Sequence, residues 1–290
     1  MKNCILVLLI LYSTSAISQS PCKITYIANE GFLIKIDDKK ILIDALFGGF
    51  DGNWCDKPND DTKSKLERAV SPFDNVDIIA ISHKHQDHFN AEMVIKHIIN
   101  NPKCIVVCPK QTDSLLKSYS NYEMIKNNII AITPAINRDT SLKFENINIR
   151  ILRLEHSHYY IQDEVTGLKV NKHENIENIG FVINVGGINL FHCGDANPWK
   201  EEEYRIFNLN KERIDIALLE NLFMNDSQTK EILNNYINPK NIILMHFEPS
   251  NAQKLKEAVR RLKRTYSNVY VFKKSMKYKN IEIIKSLETE

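Results

Sequence analysis

The sequence has few of the features that mark fibrous, membrane-spanning or nucleic-acid-binding proteins. Glycine and proline number nine each among 290 residues, which excludes collagen-like and linker-like chains. No apolar run reaches the roughly 18 residues that a membrane-spanning helix needs. Neither charge sign dominates, since 38 Lys and Arg residues offset 36 Asp and Glu residues to give a formal charge of +2. This balance argues against a dedicated nucleic-acid binder. The hydrophobic fraction of 43% is typical of a globular domain with a sizeable core.

The N-terminus has the three-part pattern of a secretory signal peptide. Lys2 supplies positive charge, residues 5–11 form an apolar stretch, and the small residues Ala16 and Ser18 precede a cleavage point before Gln19. The alternative is a buried first strand or helix. We expect residues 1–18 to be removed, which leaves residues 19–290 as one soluble domain in the periplasm or outside the cell.

Five cysteines follow the predicted cleavage point, and an odd number is unusual for a disulfide framework. Cys104 and Cys108 flank an apolar strand and lie too far apart along it to form a bridge with each other. We therefore expect buried free thiols. One bridge between Cys22 and Cys55 stays open as an alternative in an oxidising compartment.

Hydrophobic patterning predicts a mixed α and β domain. Strands are predicted at 24–36, 40–44, 76–82, 104–108, 129–133, 141–145, 147–155, 179–185, 188–193, 214–219, 241–246 and 268–272. Helices are predicted at 62–69, 90–100, 111–126, 199–208, 226–236 and 250–264. Early strands form hairpins and the later chain alternates strands with helices, so two sheets with helices on their outer faces fit better than one parallel sheet.

The strongest chemical signal is an H-x-H-x-D-H motif directly after the apolar strand at 76–82. Its ligand-type residues are His83, His85, Asp87 and His88. Neutral imidazoles and carboxylates are the usual ligands of zinc-like ions. Four ligands from one turn do not easily surround a single ion tetrahedrally, so either further ligands come from elsewhere or two ions are bound. The alternative is a polar surface loop, which the tight clustering disfavours.

Three further ligand-type residues follow apolar strands later in the chain. His156 ends the stretch ILRLEH, Asp195 ends LFHCGD, and His246 ends IILMH. In each case the strand is a rigid base and its tip presents the side chain.

These motifs together resemble the metallo-β-lactamase superfamily over about residues 24–250. The resemblance implies an αββα sandwich, an α+β fold of four layers, with two zinc ions at one edge, and Mn²⁺ or Fe²⁺ as alternatives. It assigns the first ion to His83, His85 and His156, the second to Asp87, His88 and His246, and a bridging role to Asp195. A water between two such cations loses a proton near neutral pH and becomes the nucleophile.

Other residues receive supporting roles in this interpretation. Asp44 matches the family's first motif and is expected to orient a ligand histidine by accepting its second N–H. Asp87 is also a candidate catalytic group. His158 could replace His156 as a ligand. Either His158 or Tyr159 could instead donate to an oxyanion.

Asp195 also guides the choice among functions. By resemblance, a bridging carboxylate occurs at this place in phosphodiesterases, lactonases and glyoxalase II, and true β-lactamases lack it. The best match is the branch that contains ascorbate-phosphate lactonase and the phospholipase-D-like hydrolases. We therefore expect an exported hydrolase of a phosphodiester or lactone bond in a small molecule, and no nucleic-acid substrate. Alternatives are an exported β-lactamase, a redox di-iron protein and a non-catalytic metal-binding module.

Two long polar segments, 46–73 and 159–178, are expected to border the site and to select the substrate. Trp54 in the first segment could cover an apolar substrate group or pack under its own loop. His173 in the second is a candidate substrate contact. His97 and His192 are expected to be ordinary structural histidines, and Cys193 a structural thiol.

Overall fold

The computed structural model describes residues 19–247, 256–257, 259–260, 262–264 and 266–284. The predicted signal peptide lies outside the described residues, as does the start of the predicted helix at 250–264. Within the described ranges, no helix is both long enough and apolar enough to span a bilayer.

Sixteen strands and six α-helices have complete bounds in the described ranges, and residues 256–257, 259–260 and 262 are helical as well. The strands are β1 (Gln19–Ala28), β2 (Gly31–Ile36), β3 (Lys39–Ile43), β4 (Ile78–Ala80), β5 (Ile105–Cys108), β6 (Ile129–Ala131), β7 (Asp139–Phe144), β8 (Ile147–Arg153), β9 (Tyr160–Gln162), β10 (Lys169–Asn171), β11 (Ile179–Val185), β12 (Ile188–His192), β13 (Ile216–Glu220), β14 (Asn241–Met245), β15 (Val269–Val271) and β16 (Tyr278–Ile284). The helices are α1 (Asp60–Glu67), α2 (Ala91–Asn100), α3 (Lys110–Leu116), α4 (Tyr122–Ile125), α5 (Glu201–Phe207) and α6 (Ser227–Ile232).

Fourteen of these strands form two sheets of seven. The first sheet has the order β16-β1-β2-β3-β4-β5-β6, and the second has the order β15-β14-β13-β12-β11-β8-β7. Each sheet has an antiparallel half built from hairpins and a parallel half, which runs from β3 to β6 in the first sheet and from β12 to β15 in the second. The mixed topology follows from short hairpin turns early in each half and helical crossovers later.

The main core fills the space between the two sheets. Ile34 and Ile43 of the first sheet belong to the same buried cluster as Phe181 and Leu190 of the second. A second buried cluster packs the outer face of the first sheet, including Ile79, against α2 and its neighbours. The inner strands of the parallel halves are therefore buried on both faces, as β13 shows with four buried apolar residues followed by the buried Glu220. This confirms the predicted αββα sandwich.

The structure adds elements that hydrophobic patterning did not predict. β16 pairs antiparallel with β1 at the edge of the first sheet, although no strand was predicted beyond 272. The segment 159–178, predicted as a loop, contains the short hairpin of β9 and β10. Its residues are largely exposed, so it lacks the apolar alternation that marks a half-buried strand.

All five described cysteines are buried free thiols, as expected for the majority of them. Cys22 and Cys55, the pair left open for a bridge, are separate thiols as well. Burial raises the pKa of each to about 12, with Asp215 adding to the effect at Cys22 and Asp87 at Cys55. These thiols are therefore protonated and unreactive at neutral pH.

Candidate metal centre

The H-x-H-x-D-H motif occupies the loop between β4 and α2. In this loop the backbone N–H of His88 donates to the carbonyl of His85 over 3.0 Å, which makes a tight turn. The loop ends where α2 begins, and there the Asn90 side chain accepts from the backbone N–H of Met93 at 3.0 Å. This N-cap fixes the end of the loop, so the ligand-type side chains are held between a buried strand and a capped helix.

The second sheet contributes its ligand-type residues from the ends of three strands. His156 follows β8, Asp195 follows β12 and His246 follows β14. An isolated antiparallel bridge joins His156 to Ala196, so the first two loops are held side by side. The structure thus brings together the two sets of residues that the sequence placed about 70 to 160 positions apart.

The donor atoms form two adjacent clusters. In each cluster the donor atoms lie within 4.8 Å of one another. One contains His83, His85, His156 and Asp195, and is called here the first position. The other contains Asp87, His88 and His246, and is called here the second position.

Asp195 lies between the two positions. Its Oδ2 is 3.7 Å from His83 Nε2 and 3.4 Å from His156 Nε2 in the first position. Its Oδ1 is 3.2 Å from His88 Nε2 in the second position. Among the described residues, neither Asp195 Oδ1 nor His88 Nε2 has a hydrogen-bond partner, although both are buried. Buried polar atoms without partners are costly, and a cation between them would satisfy both, so this donor set fits a pair of metal ions.

Hydrogen bonds on the far side of the imidazoles fix how the rings are turned. His83 Nδ1 lies 2.9 Å from the Ser82 hydroxyl, and His156 Nδ1 lies 2.8 Å from the carbonyl of Ser157. His88 Nδ1 lies 3.1 Å from Asp44, whose carboxylate also accepts from the backbone N–H of Ser82 at 2.7 Å. Asp44 therefore contacts His88, a candidate ligand histidine, as the sequence interpretation expected.

The two positions differ in how their histidines are charged. Burial lowers the pKa of His83 well below its usual value, that of His85 to about 3 and that of His156 to about 4. Neutral imidazole is the form that binds metal, so these rings are ready to act as ligands.

The histidines of the second position lie close to the carboxylates of Asp195 and Asp87. Burial acts to lower the pKa of His246, but Asp195 and Asp87 outweigh it and raise that pKa to about 10. The pKa of His88 lies well above its usual value for the same reason, since Asp195 and Asp87 again outweigh burial. Burial acts to raise the pKa of Asp195, but His88 and His246 hold it well below its usual value. The carboxylates of this position therefore favour positive charge at its centre.

Several backbone positions in the site have left-handed conformations. Asp44 has a φ of 43° and His246 a φ of 59°, which are uncommon for residues with a side chain. Gly194, directly before Asp195, has a φ of 56°. A Cβ at Gly194 would lie 2.5 Å from Asn178 Oδ1 and 2.7 Å from Ser82 Cβ, so only glycine fits there without displacing a neighbour.

A cavity of about 900 Å³ opens over the two positions. It is lined by Trp54, Lys84, His85, Gln86, Asp87, Leu115, Tyr159, His173, Asp195 and His246. Trp54 stacks on Phe50 with ring centroids 5.0 Å apart, so it packs on its own loop and faces the cavity at once. His173 Nδ1 lies 2.9 Å from the Ser157 carbonyl, which already accepts from His156.

The two candidate catalytic residues beside His156 are placed differently. Tyr159 lines the cavity, with its ring 5.6 Å from that of His173. His158 does not line it: its Nε2 contacts Glu155 at 2.7 Å and its Nδ1 contacts the Tyr160 hydroxyl at 3.2 Å. His156, not His158, is therefore grouped with the first-position donors.

The residues expected to be structural have ordinary partners. His97 is buried with its Nδ1 2.6 Å from the carbonyl of Leu66. His192 is buried and its Nδ1 accepts from the backbone N–H of Gly194 at 3.1 Å. Cys193, the next residue after His192, is fully buried.

Two buried carboxylates near the second position were not singled out from the sequence. Glu30 lies in the turn between β1 and β2, and Glu220 is the last residue of β13. Glu220 had the strand-end signal that identified Asp195 and His246, since it ends the apolar stretch IALLE. Glu30 had no such signal, because Asn29-Glu30-Gly31 has the composition of an ordinary turn.

Comparison with known proteins agrees with this architecture. A family model described as "Beta-lactamase superfamily domain" matches residues 39–272. A "UPF0173 metal-dependent hydrolase" of Polynucleobacter asymbioticus is 22% identical over 279 residues, covering 94% of this chain and 86% of the relative.

Solved structures show the same fold at low sequence identity. Igni18, a metallo hydrolase from Ignicoccus hospitalis, is 15% identical with a TM-score of 0.56, covering 91% of this chain and 99% of the other. CmlA, a diiron β-hydroxylase from Streptomyces venezuelae, is 11% identical with a TM-score of 0.55, covering 91% of this chain and 54% of the other. Because the family model spans most of the chain and these structures share its two-sheet architecture, the chain belongs to the beta-lactamase superfamily and has the metallo-β-lactamase fold.

Proposed function

We propose that this protein is a metal-dependent hydrolase with a dinuclear zinc centre. The observation that carries the proposal is the place of Asp195, whose two carboxylate oxygens face the donors of two adjacent clusters. The similarity to the Polynucleobacter relative, which is named as a metal-dependent hydrolase, supports the same reaction class.

In this proposal each ion has three protein ligands and a share of Asp195. The first is held by His83, His85 and His156, and the second by Asp87, His88 and His246. When bound, the ions supply Lewis-acid polarisation of a substrate oxygen and activation of a water. The site needs no serine or cysteine nucleophile, which agrees with the burial of all five described thiols.

The chain's own residues position the substrate and the ligands. Asp44 and the carbonyl of Ser157 hold ring protons on the imidazoles of His88 and His156, so that the opposite nitrogens stay free to coordinate. Lys84 and Tyr159 line the cavity and are available to bind an anionic or polar substrate group. Trp54 supplies an apolar wall that can exclude water from one side.

The proposed substrate is a small molecule with a phosphodiester, lactone or other ester bond. A cavity of about 900 Å³ is within the range that binds small molecules. Residues 1–18 favour export, so the proposed location is the periplasm or the exterior. The β-lactamase alternative is disfavoured by the carboxylate of Asp195 at the shared position.

The experiment combines metal analysis with three substrates. Residues 19–290 are purified, stripped of metal and reloaded with zinc. Hydrolysis of bis-p-nitrophenyl phosphate, a simple lactone and nitrocefin is then measured side by side. Two zinc equivalents with diesterase or lactonase turnover support the proposal, and nitrocefin turnover alone favours the β-lactamase alternative.

Variants test whether Asp195 has the bridging role. Asp195→Ala is expected to lower metal occupancy and abolish hydrolysis. Asp113→Asn is a matched control, because Asp113 is also buried but lies on α3 and pairs with Lys117. Full activity in Asp195→Ala, or binding of no metal by the wild-type protein, would contradict the proposal.

A further inference from the structure

Two buried carboxylates near the second position have oxygens without hydrogen-bond partners among the described residues. Glu30 is fully buried and Glu220 is 3% exposed. Among the described residues, no group donates to either oxygen of Glu30 or to Oε2 of Glu220. An ionised carboxylate in such a place is costly unless a positive charge compensates it. A positive charge close to both side chains would supply this compensation.

Both carboxylates face the second position. Glu30 Oε2 lies 3.8 Å from His88 Nδ1, and one Glu30 oxygen falls within 4.8 Å of donor atoms of Asp195 and His246. Glu220 Oε1 lies 3.8 Å from His246 Nδ1. Both second-position histidines thus have a carboxylate near the nitrogen that points away from the ion.

Among the described residues, no carboxylate lies within 4.0 Å of the outer nitrogen of His83 or His156 in the first position. His83 Nδ1 faces the neutral hydroxyl of Ser82 at 2.9 Å, and His156 Nδ1 faces the neutral carbonyl of Ser157 at 2.8 Å. Its anionic ligand is Asp195, which it shares with the other position. The carboxyl groups around the centre are therefore concentrated on the side of the second position.

This asymmetry has a consequence for metal binding. A carboxylate that accepts from, or lies close to, the outer nitrogen of a ligand imidazole raises the basicity of the ring and fixes its orientation. A buried anion near the ion also stabilises its charge directly, since the effective dielectric constant there is low. Both effects are therefore larger at the second position than at the first.

We propose that the second position binds its metal ion more tightly than the first and fills before it, and that Glu30 and Glu220 are the positioning residues that cause this order. The inference rests on the dinuclear centre of the proposed function and deepens it. Each glutamate would act through His88 or His246, and the cation would in turn compensate the buried carboxylates.

The test isolates each position by removing one ligand of the other. His85→Ala leaves the second position intact, and His246→Ala leaves the first intact. Zinc dissociation constants are measured for each by competition with a chromophoric chelator, and stoichiometry is checked by native mass spectrometry. We expect His85→Ala to retain the tighter site.

The glutamates are then replaced in both backgrounds. Glu30→Gln and Glu220→Gln keep shape and remove charge, and each is expected to weaken zinc binding by about 10–100-fold in the His85→Ala background. In the His246→Ala background they are expected to change zinc affinity less than about twofold. Glu203→Gln is a matched control in both, since Glu203 is buried but accepts from the backbone N–H of Glu155 on the first-position side.

The outcomes separate this inference from the proposed function. Equal zinc affinities in the two backgrounds, or tighter binding at the first position, would overturn the order while leaving a dinuclear hydrolase intact. Loss of affinity in both backgrounds would show that the glutamates maintain the fold and not one position, which also overturns the inference. A wild-type protein that binds no zinc would remove the centre itself.

Discussion

The close packing around Gly194 gives a prediction whose size can be worked out from the structure. Gly194→Ala places a methyl group 2.5 Å from Asn178 Oδ1 and 2.7 Å from Ser82 Cβ. Neither neighbour moves easily. Asn178 is fully buried, with its Nδ2 donating to the Cys193 carbonyl at 3.3 Å, and the Ser82 hydroxyl donates to Asp44 at 2.5 Å.

Two costs add in this variant. A left-handed φ of 56° costs an alanine about 1–2 kcal/mol, and overpacking of a tight site costs about 1–3 kcal/mol more. We therefore expect a loss of about 2–5 kcal/mol in the free energy of unfolding. Asp195 follows directly in the chain, so the displaced backbone is also expected to lower zinc stoichiometry.

Gly187→Ala is the matched control. Gly187 has a φ of 83° in the turn between β11 and β12, and a Cβ there meets nothing within 4 Å. It carries the backbone cost of about 1–2 kcal/mol without the clash, and the reduced entropy of the unfolded chain affects both variants alike. Urea unfolding of both metal-free variants measures the difference. If Gly194→Ala is no less stable than Gly187→Ala, the packing argument is wrong.

Three other substitutions test separate parts of the reasoning. Asp44→Asn keeps a residue type that tolerates the φ of 43°, but it faces His88 Nδ1 with an amide in place of a carboxylate. Zinc affinity measured by chelator competition is therefore expected to fall about 10–100-fold, and circular dichroism is expected to show little change in fold. His158→Ala is expected to retain both zinc ions by elemental analysis, because its ring contacts Glu155 and Tyr160, and loss of one ion would reverse the assignment of His156. Burial raises the pKa of Glu203 from 4.5 to about 7, so the folded protein holds a proton there that the unfolded chain releases, and stability falls as the pH rises through this range. Glu203→Gln should remove this loss, at most about 3 kcal/mol between pH 4.5 and 8, and an unchanged pH profile of urea unfolding would refute the assignment.

The candidate ligand residues could be recognised in the sequence because their chemistry is concentrated at a few positions. His83, His85, Asp87 and His88 lie within six positions, and His156, Asp195 and His246 each follow an apolar strand. The strands β8, β12 and β14 run in the same direction within the second sheet, so their carboxyl ends lie at one edge of it. The two-sheet architecture could also be predicted from local patterns, because early strands form hairpins and later strands alternate with helices.

Other features depend on contacts between distant parts of the chain. Glu30 lies in a turn that looks ordinary, and its significance comes from His88, which is far away in sequence. β16 has alternating buried residues, Ile281 and Ile283, but its place as an edge strand depends on pairing with β1 at the other end of the domain. His156 and His158 share one side of an extended chain in the sequence pattern, and only the bridge from His156 to Ala196 separates their roles.

The pairing of β1 with β16 brings the two ends of the described chain together. Gln19 is opposite Ile284, so the outer ends of the first and last strands are neighbours. If these ends were joined and the chain were reopened between β6 and β7, the strands of the second sheet would come first and those of the first sheet would follow. Such a circular permutant would contain two successive segments, one for each sheet. His156, Asp195 and His246 would come from the leading segment and the H-x-H-x-D-H loop from the trailing one. The candidate metal ligands would then come from two successive segments of the chain. If the chain were divided between these segments, reassembly of the two fragments could be made to depend on zinc.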